Sequence, residues 1–517
     1  MAFIVLGALV PLPLILRDYR TGVAMLAAML PIASMLPSVK GLNPLNFVTA
    51  ATLVSLFLRD AFSSRRAVRL PGVLWAGLVL PATWAIVVAW PHIPEGVHNY
   101  PLLDNAREIY DPWSYVAARY AKPLFYYLSF AMLVANAARD SRRPERFALL
   151  LAAAMVLPSL AVFVTVHQYP GTLADVSRDR EFMAPRGMHA NEFGMLLAAG
   201  SGPLLFGAAG AGGRTARWTL RAAFALVTLA LVLTFSRGGL TAWLVVVGGY
   251  LVQHRRLKTF LVAATVGALA LAAAPQSVTE RFGAGMHEGA ISDVSDVGKD
   301  ELTAGRVHGW QLLAPEVLDS PWFGRGLGST QWSQAVEAGR YKANHPHNIY
   351  LELLMDVGLV GFAAMAFLHW TLLRRLRALA ADASLGPALR GFFAGARWSL
   401  LGVLVMAATT AYYMPNSAQF PLWFCFGMAF SVAPSIPRAA SALRALNDAR
   451  GPAATMVAAA RDSGRQPQRG GPHEQAPGLA HDVDGAGRGR RLASPPGVRR
   501  SADRPAGGRA RPCTGQG

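Results

Sequence analysis

Four short stretches of this chain set arginine, histidine and asparagine within a few positions of long apolar runs. The first is Arg186-Gly187-Met188-His189-Ala190-Asn191-Glu192, and the second is Ser236-Arg237-Gly238-Gly239, a tight turn between two apolar segments. In the third, Arg306 stands four residues before Trp310, ahead of Ser320-Pro321-Trp322-Phe323-Gly324-Arg325-Gly326-Leu327-Gly328. The fourth is His345-Pro346-His347-Asn348. A guanidinium presents a planar fork that holds phosphate oxygens two at a time. Imidazole titrates near neutrality and can remove a proton from a hydroxyl. The set therefore suits a diphosphate bound close to lipid, where screening is weak, with His347 deprotonating a sugar hydroxyl as it attacks an anomeric carbon. Arg186, Arg237 and Arg306 are the expected diphosphate contacts. Asn191, Ser236, His345 and Asn348 are the expected supporting groups. Fixed arginine charge would stand in for the usual divalent metal, since these loops carry no Asp-x-Asp pair.

Each stretch also has a plainer reading. Arginine at a membrane boundary commonly reaches for headgroups. Gly324, Gly326 and Gly328 resemble a nucleotide fingerprint, but no βαβ context surrounds them. Pro346 fixes an extended spacing between His345 and His347 and no cysteine lies nearby, so no metal site is expected. His189 and His308 read as surface or packing histidines. The combination on one side of the apolar segments favours the anion site, because polar groups there are costly unless they bind something or line water.

The elements that must position these groups are transmembrane helices. Hydrophobic residues make up 53% of the 517 positions against 15% charged, and the mean hydropathy is +0.31, which is too apolar for an ordinary soluble domain. A bilayer core takes about 20 apolar residues as a helix. Runs of that size fall near 21–36, 45–58, 70–90, 123–138, 147–167, 191–211, 218–235, 238–253, 259–274, 348–371, 391–411 and 418–434. Segment 2–16 lacks the marks of a signal peptide and counts as a further span, giving an all-α polytopic protein of 12–13 transmembrane helices. Loops 17–20, 59–69, 139–146, 212–221, 254–258 and 374–390 hold 20 of the 49 Lys and Arg, which assigns them to the cytoplasm. The large loop 275–346 and the four motif stretches then face outward.

Residues 1–437 form the transmembrane domain, with a core over 191–371. Residues 438–517 are rich in Arg, Pro and Gly and poor in large apolar residues, so they are expected to be a disordered basic cytoplasmic tail. Much of the formal charge of +19 lies in that tail, and no nucleic-acid partner is expected. The two cysteines, Cys425 and Cys513, cannot supply a disulfide framework or a thiolate metal site.

The ordered motifs from Arg186 to Gly361 resemble the O-antigen ligase and O-antigen polymerase superfamily of bacterial polytopic membrane proteins. The resemblance runs through Arg186 and Asn191, Ser236-Arg237-Gly238-Gly239, Arg306 with Trp310, Pro321 to Gly326, and His347-Asn348 with Leu351, Gly358 and Gly361. It implies a metal-independent, inverting glycosyltransferase without a cofactor, working at the periplasmic face of the inner membrane. The donor would be an undecaprenyl-diphosphate-linked glycan and the acceptor lipid A–core, another glycan or another hydroxyl. His347 would be the activating base, and Arg186, Arg237 and Arg306 the donor contacts. His345 is a departure, adding a second candidate base. The alternative within the same chemistry is a polymerase joining lipid-linked repeat units. From a different class, a flippase or secondary transporter would place ionisable groups near the midplane, and Asp356 with Arg397 would be such a pair.

Overall fold

The computed structural model describes residues 11–36, 43–62, 67–93, 112–179, 182–254, 306–341, 343, 345–410 and 413–432. The expected span 259–274, the first part of loop 275–346 and the tail 438–517 lie outside the described residues. Helices account for the regular structure, with no strand among the described residues. In chain order they are α1 (Leu12–Arg17), α2 (Tyr19–Met29), α3 (Pro44–Phe62), α4 (Gly72–Ala89), α5 (112–139), α6 (Pro144–Gln168), α7 (Ala190–Gly210), α8 (Arg214–Leu233), α9 (Arg237–Gln253), α10 (Arg306–Asp319), α11 (Ile349–Ala381), α12 (Pro387–Thr409) and α13 (Phe420–Ser431). Seven of these, α3, α4, α6, α7, α8, α11 and α12, are long and apolar enough to cross a bilayer. Leu80, Phe62 and Leu229 are among the large apolar side chains left exposed on the outside of the bundle, as expected where lipid is the solvent. The chain is an all-α polytopic membrane protein.

Helix α7 is the central post. In its most apolar window 83% of residues are buried, against 28% for the peripheral α8. It runs antiparallel to α12 with backbones in contact, a Cβ at Gly202 falling 2.4 Å from the carbonyl oxygen of Gly395. Close approach of small residues is how apolar helices associate where lipid removes the hydrophobic drive.

Two expected spans take different forms. The 21–36 span is interrupted, because α2 ends at Met29 and a 3-10 turn (Leu30–Met35) with non-helical Ile32 follows; Pro31 cannot extend the ladder. Helix α11 extends ten residues beyond its expected end, carrying Arg375 to the foot of α13, where its guanidinium donates to the carbonyls of Ala429 and Val432. A cation there closes the open carbonyl end of α13.

The break inside α11 positions the site. Gly358 has φ 63 and ψ −171, a conformation essentially reserved for glycine. Segment 320–328 replaces the interrupted ladder. Leu359 N–H donates to the Pro321 carbonyl (2.8 Å) and Val360 N–H to that of Trp322 (3.1 Å), while Arg325 N–H reaches the Met355 carbonyl (2.7 Å) and Gly326 N–H that of Asp356 (3.0 Å). The break leaves 349–357 as a separate short helix. The remaining 23 residues, at 1.5 Å each, reach roughly 34 Å, close to a bilayer's apolar thickness.

Asp356 is fully buried, and its carboxylate accepts from Gly328 N–H (3.1 Å), Ser329 N–H (3.1 Å) and the Ser329 hydroxyl (2.8 Å). It caps the 3-10 turn Ser329–Trp332. Arg397 lies over the Trp398 ring instead, so the two do not form the pair that a transporter reading would use.

A Cβ at Gly358 would lie 2.4 Å from Phe323 N, and the backbone strain of a non-glycine there costs about 1–3 kcal/mol. Gly358→Ala should therefore lower the thermal unfolding midpoint of the detergent-solubilised protein by several degrees. Gly386→Ala, which meets open space, should leave it unchanged. Equal midpoints for the two variants would remove the break from the stabilising framework.

Candidate active site

The helix directions bring the four motif stretches to one end of the bundle. The N-terminal ends of α7, α9 and α11 carry Asn191, Arg237 and Ile349, and α12 arrives at the same end through Met406. The Ser236 hydroxyl donates to Asn191 Oδ1 (2.9 Å) and accepts from Gly239 N–H (3.1 Å). It thus caps α9 and ties it to α7. The helices touch there because neither has a side chain at the crossing, a Cβ at Gly239 falling 2.7 Å from Gly194 Cα. Arg237 is therefore the first residue of a helix whose entry is fixed on two sides, and neighbouring Gly238 packs against Met406 and Thr409 of α12.

The base candidate is seated with comparable care. Trp310 Nε1–H donates to the Pro346 carbonyl (2.8 Å), and the Tyr341 hydroxyl donates to that of His345 (2.8 Å). His347 N–H donates to His345 Nδ1 (3.3 Å), and the two rings stand 4.0 Å apart, nearly perpendicular. Asn348 is the N-cap of α11, its Oδ1 accepting from Tyr350 N–H (3.0 Å) and Leu351 N–H (3.2 Å). Its role is structural, aiming the helix that carries the short 349–357 segment. Arg306 and Trp310, four apart on α10, share a face, which places Arg306 beside the His345–His347 loop.

Backbone strain marks the same two places. Among the described residues, Phe235 and His347 are the non-glycine residues with positive φ, both at 51°. Side chains rarely adopt that region unless the surroundings force it. One precedes the Ser236-Arg237 turn and the other is the base candidate itself.

Charge gathers around His345. Burial pushes its imidazole well below the ordinary value of 6.5, and nearby His347, Arg119, His189 and Arg306 act in the same direction. The structure thus brings together Arg306, His345 and His347 from the expected set and adds Arg119 and His189. Arg186 is held differently: its guanidinium donates to Thr165 Oγ1 (2.9 Å) and Gln168 Oε1 (2.9 Å) on α6, locking segment 182–189 to that helix end. Arg119 gave no sequence signal beyond lying in a long outward loop. It sits on a π-helical turn (Ala117–Ala121) of α5, a feature frequent at functional sites.

Two cavities lie at this end. One, of about 320 Å³, is apolar, walled by Leu78, Leu353, Met365, Leu400 and Trp423 among others. The second, of about 200 Å³, is polar, with Arg119, Glu192, Gln331, Glu352 and Asn416 on its walls. Tyr413 borders both.

The His345 environment predicts an acid-labile loop. A histidine held below 6.5 when folded favours the unfolded chain once protons are available. Stability present at pH 7 is lost as pH falls below 6.5 toward the folded value. The melting midpoint should drop between pH 7 and pH 5, and His345→Gln should reduce that drop; an identical drop in the variant would assign the acid sensitivity elsewhere.

Residues 222–366 match the O-antigen ligase family. The matched stretch contains the Ser236-Arg237 turn, Arg306, His345, His347 and the break at Gly358 in α11. No curated protein matches the chain. Through this region, where the motif order, the helix ends and the cationic cluster coincide, the chain is similar to the O-antigen ligase family.

Proposed function

We propose that the protein transfers a glycan from undecaprenyl diphosphate to an acceptor hydroxyl, on lipid A–core or another glycan, at the periplasmic face of the inner membrane. The observation that carries this reading is the gathering of Arg306, His345 and His347 at the end of the bundle where Arg237 starts α9, with Ile349 and Tyr350 of the following turn lining the apolar cavity. A long isoprenoid chain fits apolar walls, and a diphosphate at its end meets guanidiniums. His347 takes the proton from the acceptor hydroxyl, whose oxygen attacks the anomeric carbon from the face opposite the diphosphate. The carbon–oxygen bond to the diphosphate breaks, and the leaving group departs with the electron pair and with its charge held by arginine. The configuration at the anomeric carbon inverts. With a second lipid-linked unit as acceptor the same steps would make a polymer, and the family match is common to both readings.

His347→Ala and Arg237→Ala should each reduce transfer in proteoliposomes by about 100-fold or more, the scale of a lost general base or a lost charge contact, with protein abundance unchanged. Full activity in both would overturn the assignment. Because arginine offsets the leaving charge in this mechanism, transfer should persist in EDTA. Complete loss restored by Mg²⁺ or Mn²⁺ would count against it. Supplying lipid A–core and a second lipid-linked unit in separate reactions reads out the acceptor directly.

A further inference from the structure

The steps above leave the polar cavity of about 200 Å³ without a role. Its walls set two carboxylates, Glu192 and Glu352, against one guanidinium, Arg119, with the amides of Gln331 and Asn416 and the ring of Tyr413 between them. Glu352 and Tyr413 are buried. Glu192 accepts from His189 N–H at 2.9 Å through one oxygen, and Gln331 donates to the Tyr115 hydroxyl at 3.2 Å. Asn416 Oδ1 is buried with no hydrogen-bond partner among the described residues. A buried acceptor in that state is costly and calls for a donor.

The wall chemistry selects the occupant. With two carboxylates against one guanidinium the walls carry an excess of negative charge, which disfavours a phosphate here. Carboxylate and amide oxygens accept hydroxyl protons, and a tyrosine ring offers an apolar face to the C–H side of a ring. The volume is below the roughly 300–1,000 Å³ of sites for drug-sized molecules, which suits one ring.

We propose that this cavity is a sugar subsite that binds a single uncharged pyranose of the glycan, with Glu192, Glu352 and Asn416 accepting from its hydroxyls. The subsite discriminates against phosphorylated sugars and uronic acids. It rests on the glycosyl-transfer reading of the same end of the bundle. It adds the class of sugar that reaches His347. The ring comes either from the donor or from the acceptor, and the chemistry of recognition is the same for both.

The test uses the full chain in nanodiscs. Saturation-transfer NMR with methyl glycosides of glucose, galactose, mannose and N-acetylglucosamine should show binding of at least one, while methyl glucuronide and glucose 6-phosphate should not bind. Glu352→Gln and Asn416→Ala should weaken the bound glycoside about tenfold, the scale of a hydrogen bond to a charged or buried group. Affinity for undecaprenyl diphosphate without sugar should not change. Ala118→Phe narrows the cavity from its rim without altering a polar group, and should weaken the glycoside equally should a polar variant fail to fold. No binding by any methyl glycoside, equal binding of the glucuronide, or undiminished binding in the variants would overturn the proposal. Failure of undecaprenyl diphosphate to bind the wild type would sink the transfer reading instead, leaving the glycoside result to decide the subsite. In turnover, a KM increase confined to the lipid-linked donor assigns the ring to the donor, and one confined to the acceptor assigns it there.

Discussion

The exchange of backbone hydrogen bonds between segment 320–328 and the broken helix α11 is the constraint on which the site depends. Inside a bilayer-spanning bundle an interrupted helix leaves donors and acceptors that water cannot reach, and each would be costly unpaired. Here the loop supplies two carbonyls and two N–H groups to the break, and Asp356 closes the remaining donors at Gly328 and Ser329. The loop in turn leans on α4, where Leu327 N–H donates to the Ala85 carbonyl at 2.9 Å, and Trp84 Nε1–H donates to the Phe323 carbonyl at 3.0 Å. The consequence is a short helix, 349–357, whose direction is set independently of the membrane span below it. His347, Asn348 and Glu352 inherit that direction.

The same logic explains where strain is stored. Phe235 and His347 both sit at positive φ, and each is held by neighbours that leave it little alternative. The Ser236–Asn191 hydrogen bond and the bare crossing at Gly194 and Gly239 fix the first; Trp310, Tyr341 and the Asn348 cap fix the second. A polar group positioned by packed aromatics and helix caps loses little freedom on binding. That is the condition under which a few arginines can hold a diphosphate against water.

The sequence made the chemistry legible and hid the carpentry. Arg237, Arg306, His345 and His347 could be read because guanidinium and imidazole are conspicuous at the ends of apolar runs. The break at Gly358 could not, since Asp356-Val357-Gly358-Leu359-Val360-Gly361 reads as continuous apolar helix and nothing local announces that a distant loop will complete the ladder. Gly324, Gly326 and Gly328 form a glycine run whose role nothing in the sequence states, since no βαβ context surrounds it. Their positive φ values of 71°, 91° and 73° instead let that loop press against Asp356, Ala89 and Tyr115. Asp356 suggested transport because an ionisable group inside a span usually marks function, and only its three donors reveal a cap. Glu192 and Glu352 lie in the first turns of α7 and α11, where acids are ordinary and give no signal of a shared cavity.

Their position in one cavity with Arg119 changes how the active end is partitioned. Cationic groups gather around His345 and two carboxylates line the cavity that shares Arg119 with them, so the proposed ligand, carrying both a diphosphate and uncharged sugar, would be sorted by charge. Tyr413 borders both the apolar cavity and the carboxylate-lined one. Hydrocarbon walls exclude charge, a carboxylate excess disfavours phosphate, and guanidiniums gain nothing from an alkyl chain. On the proposed reading, register along the ligand follows from this sorting by charge, with the anomeric carbon set by the acceptor hydroxyl that His347 deprotonates.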